Sequence, residues 1–325
     1  MLVQGSGTRV TLAFVVGSLL AGLALIAWSA PEVQASSAGL AKAKGKRTLT
    51  VIGQKGERNR IHIQMEKDRQ HFTLSDTGQV PDYSTVVLTY AAGSLPGCTV
   101  LNMGDATTDY LRCEVKAVDR VFLDLRDQDD LVQNGDGIQR WTELNRSIEA
   151  LMGGGADIFN GGPRNDKVDG GPGNDILKGW GGNDLIIGGR GDDSIAGDGD
   201  YSFNPPPRGG HDRLSGGPGA DNIAPGSGRD RVYAGAGDDI VNSVVDRDRD
   251  VVDCGAGRRD SLLGVNSRGI RFKERSVSGC ETVGSGTFGK VWSCSKRRCV
   301  VHRSRPISPF RRSVAPGVEP GVTGP

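Results

Sequence analysis

Aromatic and other apolar residues are scarce in this chain of 325 residues. Aromatic residues make up 5% of it and all apolar residues 36%, which is little for a large globular core. Fifty glycines account for the shortfall, as expected of a solenoid, which buries only a thin apolar stripe. The length by itself suggests about two domains.

The motifs of common enzyme classes are also missing. The four histidines (His62, His71, His211 and His302) form no His-Glu-x-x-His, which removes the corresponding zinc protease. No Gly-x-Ser-x-Gly is present, which removes the usual lipase motif. Residues 284–291 match the glycine-rich loop of a kinase, but too few residues follow for a kinase domain. The sequence therefore predicts a protein that is not an enzyme.

The chain instead repeats one nine-residue phrase between residues 153 and 242. It runs glycine, glycine, any, glycine, any, aspartate, any, large apolar, any, as in residues 170–178 and 188–196. The aspartates keep a nine-residue spacing on both sides of one interruption: Asp157, Asp166, Asp175, Asp184, Asp193, then Asp212, Asp221, Asp230 and Asp239. A fixed period of this kind indicates a stacked solenoid. The alternative, a glycine-rich disordered linker, lacks an apolar residue at a fixed offset.

Each position of the phrase has a mechanical role. The glycines allow positive φ and let backbone carbonyls approach a cation, while the aspartate supplies a hard carboxylate oxygen. A short strand follows, and its middle residue is expected to point inward: Phe159, Val168, Leu177, Ile186 and Ile195. Two repeats complete one coil, so Asp157, Asp175 and Asp193 are expected on one edge, and Asp166 and Asp184 on the other. Calcium is expected between stacked turns.

The phrase resembles the RTX, or haemolysin-type, calcium-binding repeat of secreted bacterial proteins, over about ninety residues. The resemblance implies an all-β fold, a calcium-stabilised parallel β-roll solenoid, here joined to a small β-rich N-terminal module. It implies Ca²⁺ as the cofactor, bound by the nine aspartates above. The turn glycines that it implies as further ligands are Gly153, Gly155, Gly171, Gly173, Gly189 and Gly191.

Several copies depart from the phrase. Other residues replace the glycine at five positions: Met152, Arg164, Trp180, Pro225 and Ala234. From residue 197 to 208 the sequence no longer follows the phrase. Three consecutive prolines there have no N–H groups to donate to a neighbouring strand. We expect this segment to leave the stack and the chain to re-enter it at residues 209–212. Whether Asp198 and Asp200 bind metal stays undecided by the sequence.

Charge is distributed unevenly. The whole chain has a formal net charge of +1, but residues 151–242 carry fourteen aspartates against eight Lys and Arg, a local net of −6. Stacked carboxylates repel one another without cations, so this segment is expected to fold only when metal binds.

The first 35 residues are predicted to form an export signal. Arg9 precedes an apolar run over residues 10–27, and small residues end at Ala35. The run is long enough to span a bilayer, so an uncleaved N-terminal anchor is the alternative. In both cases the remainder faces the outside, and the predicted location is extracellular. No nucleic-acid partner, and no membrane span after signal cleavage, is expected.

Six cysteines suit an oxidising compartment. Fifteen pairings are conceivable, and pairing of sequence neighbours is the simplest: Cys98 with Cys113, Cys254 with Cys280, and Cys294 with Cys299. Zinc is the alternative for the last pair, but two cysteines are too few for a four-ligand site. The Cys254–Cys280 arrangement also resembles the C-terminal closure of many secreted RTX proteins.

The remaining segments are assigned by pattern. Residues 36–138 are predicted to form the β-rich module, with strands at 48–52, 61–65, 85–90 and 121–125. The segment from Asp127 to Val132 is close to a degenerate repeat, which suggests that the solenoid begins before residue 153 with this module as its cap. A connecting segment, 139–152, has Trp141, Leu144, Ile148 and Leu151 at helical spacing, which suggests a short helix. The β-roll is expected over 153–265, with strands near 250–253 and 260–263.

Three features complete the sequence-based interpretation. Residues 266–302 are expected to be a disulfide-closed cap, and 303–325 a basic, Pro/Gly-rich disordered tail. Residues 246–257 have an EF-hand's first spacings but lack its glycine and glutamate, so a worn repeat is the better account. The predicted function is an exported calcium-binding protein with a structural or adhesive role and an unknown surface or matrix partner. A secreted hydrolase and a haemolysin-type toxin are the alternatives.

Overall fold

The computed structural model describes most of the chain between residues 37 and 303. The described residues are 37–43, 46–77, 89–90, 96–102, 109–135, 143–198, 209–242, 250–263, 277–284, 290–295 and 298–303. The predicted export signal and the tail beyond residue 303 lie outside these ranges. Among the described residues, no helix is both long and apolar enough to cross a membrane.

The described residues form short strands and turns, with one three-residue 3-10 turn at Val115–Ala117. The N-terminal strands are β1 Ser37–Ala43, β2 Lys46–Ile52, β3 Arg60–Met65, β4 His71–Asp76, β5 Thr89–Tyr90, β6 Cys98–Asn102, β7 Asp109–Glu114, β8 Arg120–Asp124 and β9 Leu131–Asn134.

The repeats and the C-terminal region contribute the other strands. Those up to the end of the repeats are β10 Ser147–Leu151, β11 Ile158–Gly162, β12 Lys167–Pro172, β13 Ile176–Trp180, β14 Leu185–Arg190, β15 Ser194–Asp198, β16 Arg213–Pro218, β17 Asn222–Ala224, β18 Arg231–Ala236 and β19 Ile240–Asn242. The C-terminal strands are β20 Val251–Asp253, β21 Ser261–Leu263, β22 Val277–Ser278, β23 Thr282–Gly284, β24 Lys290–Ser295 and β25 Arg298–Arg303.

Successive strands of the repeats alternate between two sheets, which makes the fold a parallel β-roll. The even-numbered strands from β8 to β22 follow one another in one sheet, and the odd-numbered strands from β9 to β23 in the other. The register is in phase with the repeat: Leu177 pairs with Phe159 on one side and with Ile195 on the other. The predicted all-β, parallel β-roll fold is confirmed.

The core lies between the sheets and takes one side chain from the middle of each strand. The predicted inward residues Phe159, Val168, Leu177, Ile186 and Ile195 are all at most 1% exposed. Full burial of such a side chain contributes about 1.5–3 kcal/mol, so the column as a whole is the main apolar stabilisation of the roll.

The N-terminal strands are hydrogen-bonded into the same two sheets as the repeats. β2 pairs in parallel with β8, and β8 with β10, while β3 pairs with β9 and β9 with β11. The predicted strands at 48–52, 61–65 and 121–125 correspond to β2, β3 and β8. Of the strand predicted at 85–90, only residues 89–90 are described. The array of parallel coils therefore begins before residue 153.

The helix suggested for residues 139–151 is wrong where the structure describes it. Residues 147–151 form strand β10, whose Ile148 and Ala150 face the core while Leu151 is 37% exposed. Leu144 is fully buried in the approach to that strand. Helical spacing was matched by coincidence, because the buried Leu144 lies four residues before Ile148 in a strand whose side chains alternate between core and solvent.

The described C-terminal coils continue the stack beyond the regular repeats. The strands expected near 250–253 and 260–263 are β20 and β21. Disulfides join Cys98 with Cys113 and Cys254 with Cys280, as predicted. Cys294 and Cys299 lie opposite each other in the antiparallel pair β24–β25, and their disulfide stays a prediction.

Candidate metal site along the turns

The nine repeat aspartates lie in two rows, one along each edge of the roll where its turns stack. Hydrogen bonds from a backbone N–H to a carboxylate Oδ1 connect the aspartates along each edge: Asp157, Asp175, Asp193, Asp221 and Asp239 on one, and Asp166, Asp184, Asp212 and Asp230 on the other. These are the edges that the nine-residue period predicts. All nine are at most 3% exposed.

One carboxylate oxygen of each aspartate supports the stack itself. The N–H of Asp157 donates to Asp175 Oδ1, and the N–H of Asp175 donates to Asp193 Oδ1, both at 2.9 Å. Across the interruption, the N–H of Asp184 donates to Asp212 Oδ1 at 2.8 Å. The ladder thus passes the inserted segment without a break, as expected from the resumption of the phrase.

The other carboxylate oxygen has no hydrogen-bond partner in eight of the nine. These oxygens are buried Oδ2 atoms of Asp157, Asp175, Asp184, Asp193, Asp212, Asp221, Asp230 and Asp239. Asp166 differs because its Oδ2 accepts the Gly162 N–H at 2.8 Å. Leaving a buried polar group unsatisfied costs roughly 1–3 kcal/mol, and more for a charged one. A row of such atoms therefore points to an unseen partner shared by all the turns.

The glycines of the phrase bring carbonyl oxygens to the same turns. Gly171 and Gly173 have φ of 100° and 153°, a region that other residues rarely adopt. A Cβ on Gly171 would overlap the carbonyl oxygen of Gly153, and one on Gly173 would overlap that of Gly155. The six glycines proposed as ligands share this arrangement, since the carbonyl of each faces a glycine of the next turn.

The first glycine of each regular phrase leaves room where two further oxygens converge. A Cβ on Gly161 would lie 2.5 Å from Asp166 Oδ2 and 2.7 Å from the carbonyl oxygen of Gly179. The same pairing of a carboxylate with the next turn's carbonyl recurs at Gly170, Gly179, Gly188 and Gly216. Glycine is not obligatory, because the aspartate oxygen is also unpartnered in the turns that begin at Met152, Pro225 and Ala234.

Burial makes the ionised carboxylates unstable by themselves. Desolvation raises the pKa of Asp184 to about 9, of Asp157 to about 7 and of Asp193 to about 6, and neighbouring aspartates add to each rise. Within the described part of the chain, none of the nine forms an ion pair with Lys, Arg or His. Carboxylates and carbonyls are the hard oxygen donors that calcium takes, so the residues present fit a calcium ion.

A second ladder, which the sequence interpretation missed, runs along the fifth position of the phrase. The N–H of Asp192 donates to Asn174 Oδ1 at 2.9 Å, and the N–H of Ala220 donates to Asp192 Oδ1 at 2.7 Å. On the other edge, Asn183 and His211 donate in the same way to Asn165 and Asn183. The signal was available, because four consecutive copies carry Asn or Asp there: Asn165, Asn174, Asn183 and Asp192.

Two smaller candidates from the sequence are placed by these ladders. His211 is exposed, and its Nδ1 accepts the Arg229 N–H at 3.0 Å, so that nitrogen takes part in the fifth-position ladder. Asp250, from the EF-hand-like stretch, accepts the Asp230 N–H at 3.1 Å through Oδ1. Asp250 therefore occupies the position of a repeat aspartate, which agrees with a worn repeat.

Among the residues that the structure describes, one group of possible metal ligands lies outside the turns. Glu66, Asp68 and His71 bring their ligand atoms within 4.8 Å of one another near the β3–β4 connection. Arg112 pairs with Glu66 at 2.6 Å, and His71 Nδ1 lies 2.6 Å from Asp68. These contacts already pair the acidic groups, so the cluster is explained as a surface ion-pair network.

The comparison with protein families agrees with the turn geometry. The model of the RTX calcium-binding nonapeptide repeat (4 copies) matches residues 153–186, 181–200 and 208–241. These turns are RTX calcium-binding repeats. Calcium is the cofactor of such repeats, and the matched residues contain all nine aspartates. No curated protein and no solved structure matches the chain.

Proposed function

We propose that this chain is an exported, non-enzymatic protein whose RTX roll folds when calcium binds and then serves as a rigid structural or adhesive element outside the cell. The observation that carries the proposal is the row of eight buried, unpartnered Oδ2 atoms. The individual ligand roles of the nine aspartates and six glycines named above belong to this proposal.

The proposal of folding on binding rests on the position of the charges. The ladder bonds hold Oδ1 of each aspartate, while Oδ2 remains buried without a hydrogen-bond partner in eight of the nine. Without a cation the folded chain must either bury these charges or protonate them, and both are costly at neutral pH. Because the unfolded chain has no preformed site, the binding free energy becomes folding free energy.

Export is supported by the disulfides and by the metal. Cys98–Cys113 and Cys254–Cys280 are bonds that persist in oxidising compartments. Calcium sensors inside cells work at micromolar calcium, whereas extracellular modules use roughly 10⁻⁴–10⁻³ M sites. The apolar run over residues 10–27 supplies the route in this proposal.

A structural role is supported by the shape of the described surface. The cavities between described residues are shallow, such as the one of about 370 Å³ beside Gly189 and Ser215, and no acid–base or nucleophile constellation lines it. The outer faces of the sheets present repeated columns instead, such as Lys167, Leu185, Arg213 and Arg231 in consecutive strands. A periodic surface of this kind suits attachment to an extended partner.

The experiment is a calcium titration of the secreted chain, followed by circular dichroism and reversed with a chelator. A β-rich spectrum that appears with calcium and disappears with chelator supports the proposal. Magnesium should substitute poorly, since it prefers rigid octahedral sites and retains water. Membrane-lysis and esterase assays on the calcium-loaded protein test the alternatives, and activity in either would contradict the non-enzymatic, structural role.

A further inference from the structure

The turn that precedes the matched repeats has their backbone conformation without their glycines. Residues 125–130 contain no glycine, yet Arg126 and Gln128 have φ of 80° and 76°. The corresponding positions of the next turn are Gly153 and Gly155, with φ of 104° and 148°. A residue with a side chain pays roughly 1–2 kcal/mol for this conformation, so two such residues in one turn need a compensating interaction.

The carbonyl groups of this turn point where those of a regular repeat point. A Cβ on Gly153 would overlap the carbonyl oxygen of Arg126, and one on Gly155 would overlap that of Gln128. Within the matched repeats, Gly171 and Gly173 stand in this relation to the carbonyls of Gly153 and Gly155. The turn over 125–130 therefore presents the same two backbone oxygens to its neighbour as a true repeat does.

The carboxylate of this turn is also placed as in a repeat. Asp130 is 1% exposed, and its Oδ1 accepts the Asn59 N–H at 2.6 Å. Its own N–H donates to Asp157 Oδ1 at 2.7 Å, which makes Asp130 the first aspartate of the ladder on that edge. Its Oδ2 is buried without a hydrogen-bond partner, like those of the repeat aspartates.

Two basic residues of this region form ion pairs with carboxylates other than that of Asp130. Arg58 pairs with Asp129 at 3.1 Å, and Arg126 pairs with Asp124 at 3.3 Å. The turns begin at Leu125 and Met152 rather than glycine, but the Oδ2 atom of Asp157 is also without a hydrogen-bond partner in the turn that begins at Met152. Asp130 Oδ2 is thus a buried carboxylate oxygen without a partner, in a turn whose Arg126 and Gln128 carbonyls face the next turn. The Arg126 carbonyl also accepts the Gly154 N–H at 3.2 Å.

We propose that the turn over residues 125–130 holds one further calcium ion against the turn over 152–157, outside the segment that the RTX family model matches. Asp130 Oδ2 and the carbonyl oxygens of Arg126 and Gln128 are its donors on the first turn. The ion ties strands β8 and β9 to the repeats, so the calcium-dependent unit includes part of the N-terminal region. This inference rests on the proposed function, because it assumes that the regular turns bind calcium.

The test counts calcium ions per folded chain by native mass spectrometry on the full chain with intact disulfides. Asp130→Asn keeps an acceptor for the Asn59 N–H but replaces the free oxygen with an amide NH₂, and it should lower the count by one. Asp129→Asn removes the same charge one residue away, at a side chain that bonds the Ala156 N–H and Arg58, and should leave the count unchanged. Asp175→Asn, in a regular repeat, should also lower the count by one.

The outcomes separate this inference from the proposed function. If Asp175→Asn loses an ion and Asp130→Asn loses none, the further site is refuted and the proposed function stands. Equal losses from Asp130→Asn and Asp129→Asn would also refute it, since general charge would then explain both. A wild-type chain without bound calcium would contradict both proposals. If Asp130→Asn fails to fold, the calcium count is taken on Asp130→Ser instead, with the same expected loss of one ion. In the wild type, residues 120–134 must also show hydrogen-exchange protection that depends on calcium, and its absence would refute the further site.

Discussion

Removal of calcium at neutral pH should unfold the roll, and acidification should partly reverse that loss. Three neighbouring aspartates on one edge show why: burial raises the pKa of Asp166 to about 7, of Asp184 to about 9 and of Asp212 to about 7. An unfolded aspartate has a pKa of about 3.9, and each unit of difference corresponds to about 1.4 kcal/mol. At pH 7.5 each of these buried groups therefore costs the metal-free fold about 4–5 kcal/mol.

This penalty is large compared with the stability of a domain. Net stabilities of folded domains are roughly 5–15 kcal/mol, so three such carboxylates are enough to cancel them, and the remaining repeat aspartates add to the effect. Calcium removes the penalty because it binds the ionised form. Disulfides and the apolar core are unchanged by a chelator, so any loss of structure can be assigned to the turns.

The sign of the pH dependence follows from the raised pKa values. The buried repeat aspartates cost the metal-free fold nothing below about pH 4, where they are protonated in both states, and their penalty grows as the pH rises from there through about 7. Calcium competes with protons for the same oxygens, so calcium binding should strengthen over that pH range.

Far-UV circular dichroism of the full chain checks both statements. In chelator at pH 7.5 the β signal of the roll should be lost, and hydrogen exchange should show that protection disappears between residues 153 and 241. In chelator at pH 5 part of the signal should return, whereas with calcium at pH 7.5 it should be complete. A chain equally β-rich in chelator and in calcium at pH 7.5 would refute the reasoning, because the buried carboxylates would then need no cation.

Three further predictions concern single positions. Asp175→Asn keeps the acceptor of the ladder bond but loses one ligand oxygen, so the calcium concentration at the midpoint of folding should rise about 10-fold or more, since a bond to a charged group contributes roughly 1.5–3 kcal/mol. The control Asp169→Asn, on the outer face of β12, should leave this midpoint nearly unchanged. Equal shifts in the two variants would show that the assumed phase of the repeat is wrong. Gly173→Ala should destabilise the calcium-loaded chain by roughly 1–3 kcal/mol because its φ is 153° and a Cβ would overlap Gly155 O, whereas Gly154→Ala, with only one neighbour at 3.7 Å, should be tolerated in thermal unfolding. The Cys254→Ser, Cys280→Ser double variant should lose about 3 kcal/mol, since the disulfide closes a loop with a sequence separation of 26, and an unchanged denaturant midpoint would argue that the last coils do not unfold with the roll.

The repeat region could be predicted in detail because its period is local and its physics repeats. An apolar residue two positions after each aspartate is enough to place Leu177 against Phe159 and Ile195, and two repeats per coil assign each aspartate to its edge. The edges were predicted correctly across the interruption as well, because the phrase resumes in phase after it and the Asp184 N–H donates to the Asp212 carboxylate. Where every copy supplies the same turn and the same strand, one correct copy predicts its neighbours.

Most of the N-terminal coils could not be assigned in the same way, because among them only the segment from Asp127 to Val132 resembles the repeated phrase in its sequence. In the turn over 125–130, Arg126 and Gln128 adopt the positive φ that is typical of glycine, and their residue types do not predict it. The helix suggested around Ile148 was wrong for a related reason. Ile148 pairs with Val121 of β8, 27 residues earlier in the chain, and Glu149 pairs with Lys167 of β12, 18 residues later. This tertiary pairing prevails over the weak local preference for a helix.

The two ladders explain how such turns tolerate changes of sequence. In each coil the backbone N–H of the aspartate is bound by the carboxylate of the next coil, so the turn is held in shape even where glycine is replaced, as at Trp180 with φ of 76°. The ladder uses only Oδ1, and the fifth-position side chains hold the outer side of several turns independently. Under the proposed function, shape and ion binding therefore depend on different atoms of the same aspartate. A substitution that preserves Oδ1, such as Asp→Asn, should remove the ion while leaving the stacking bond, which is why asparagine rather than alanine separates the two roles.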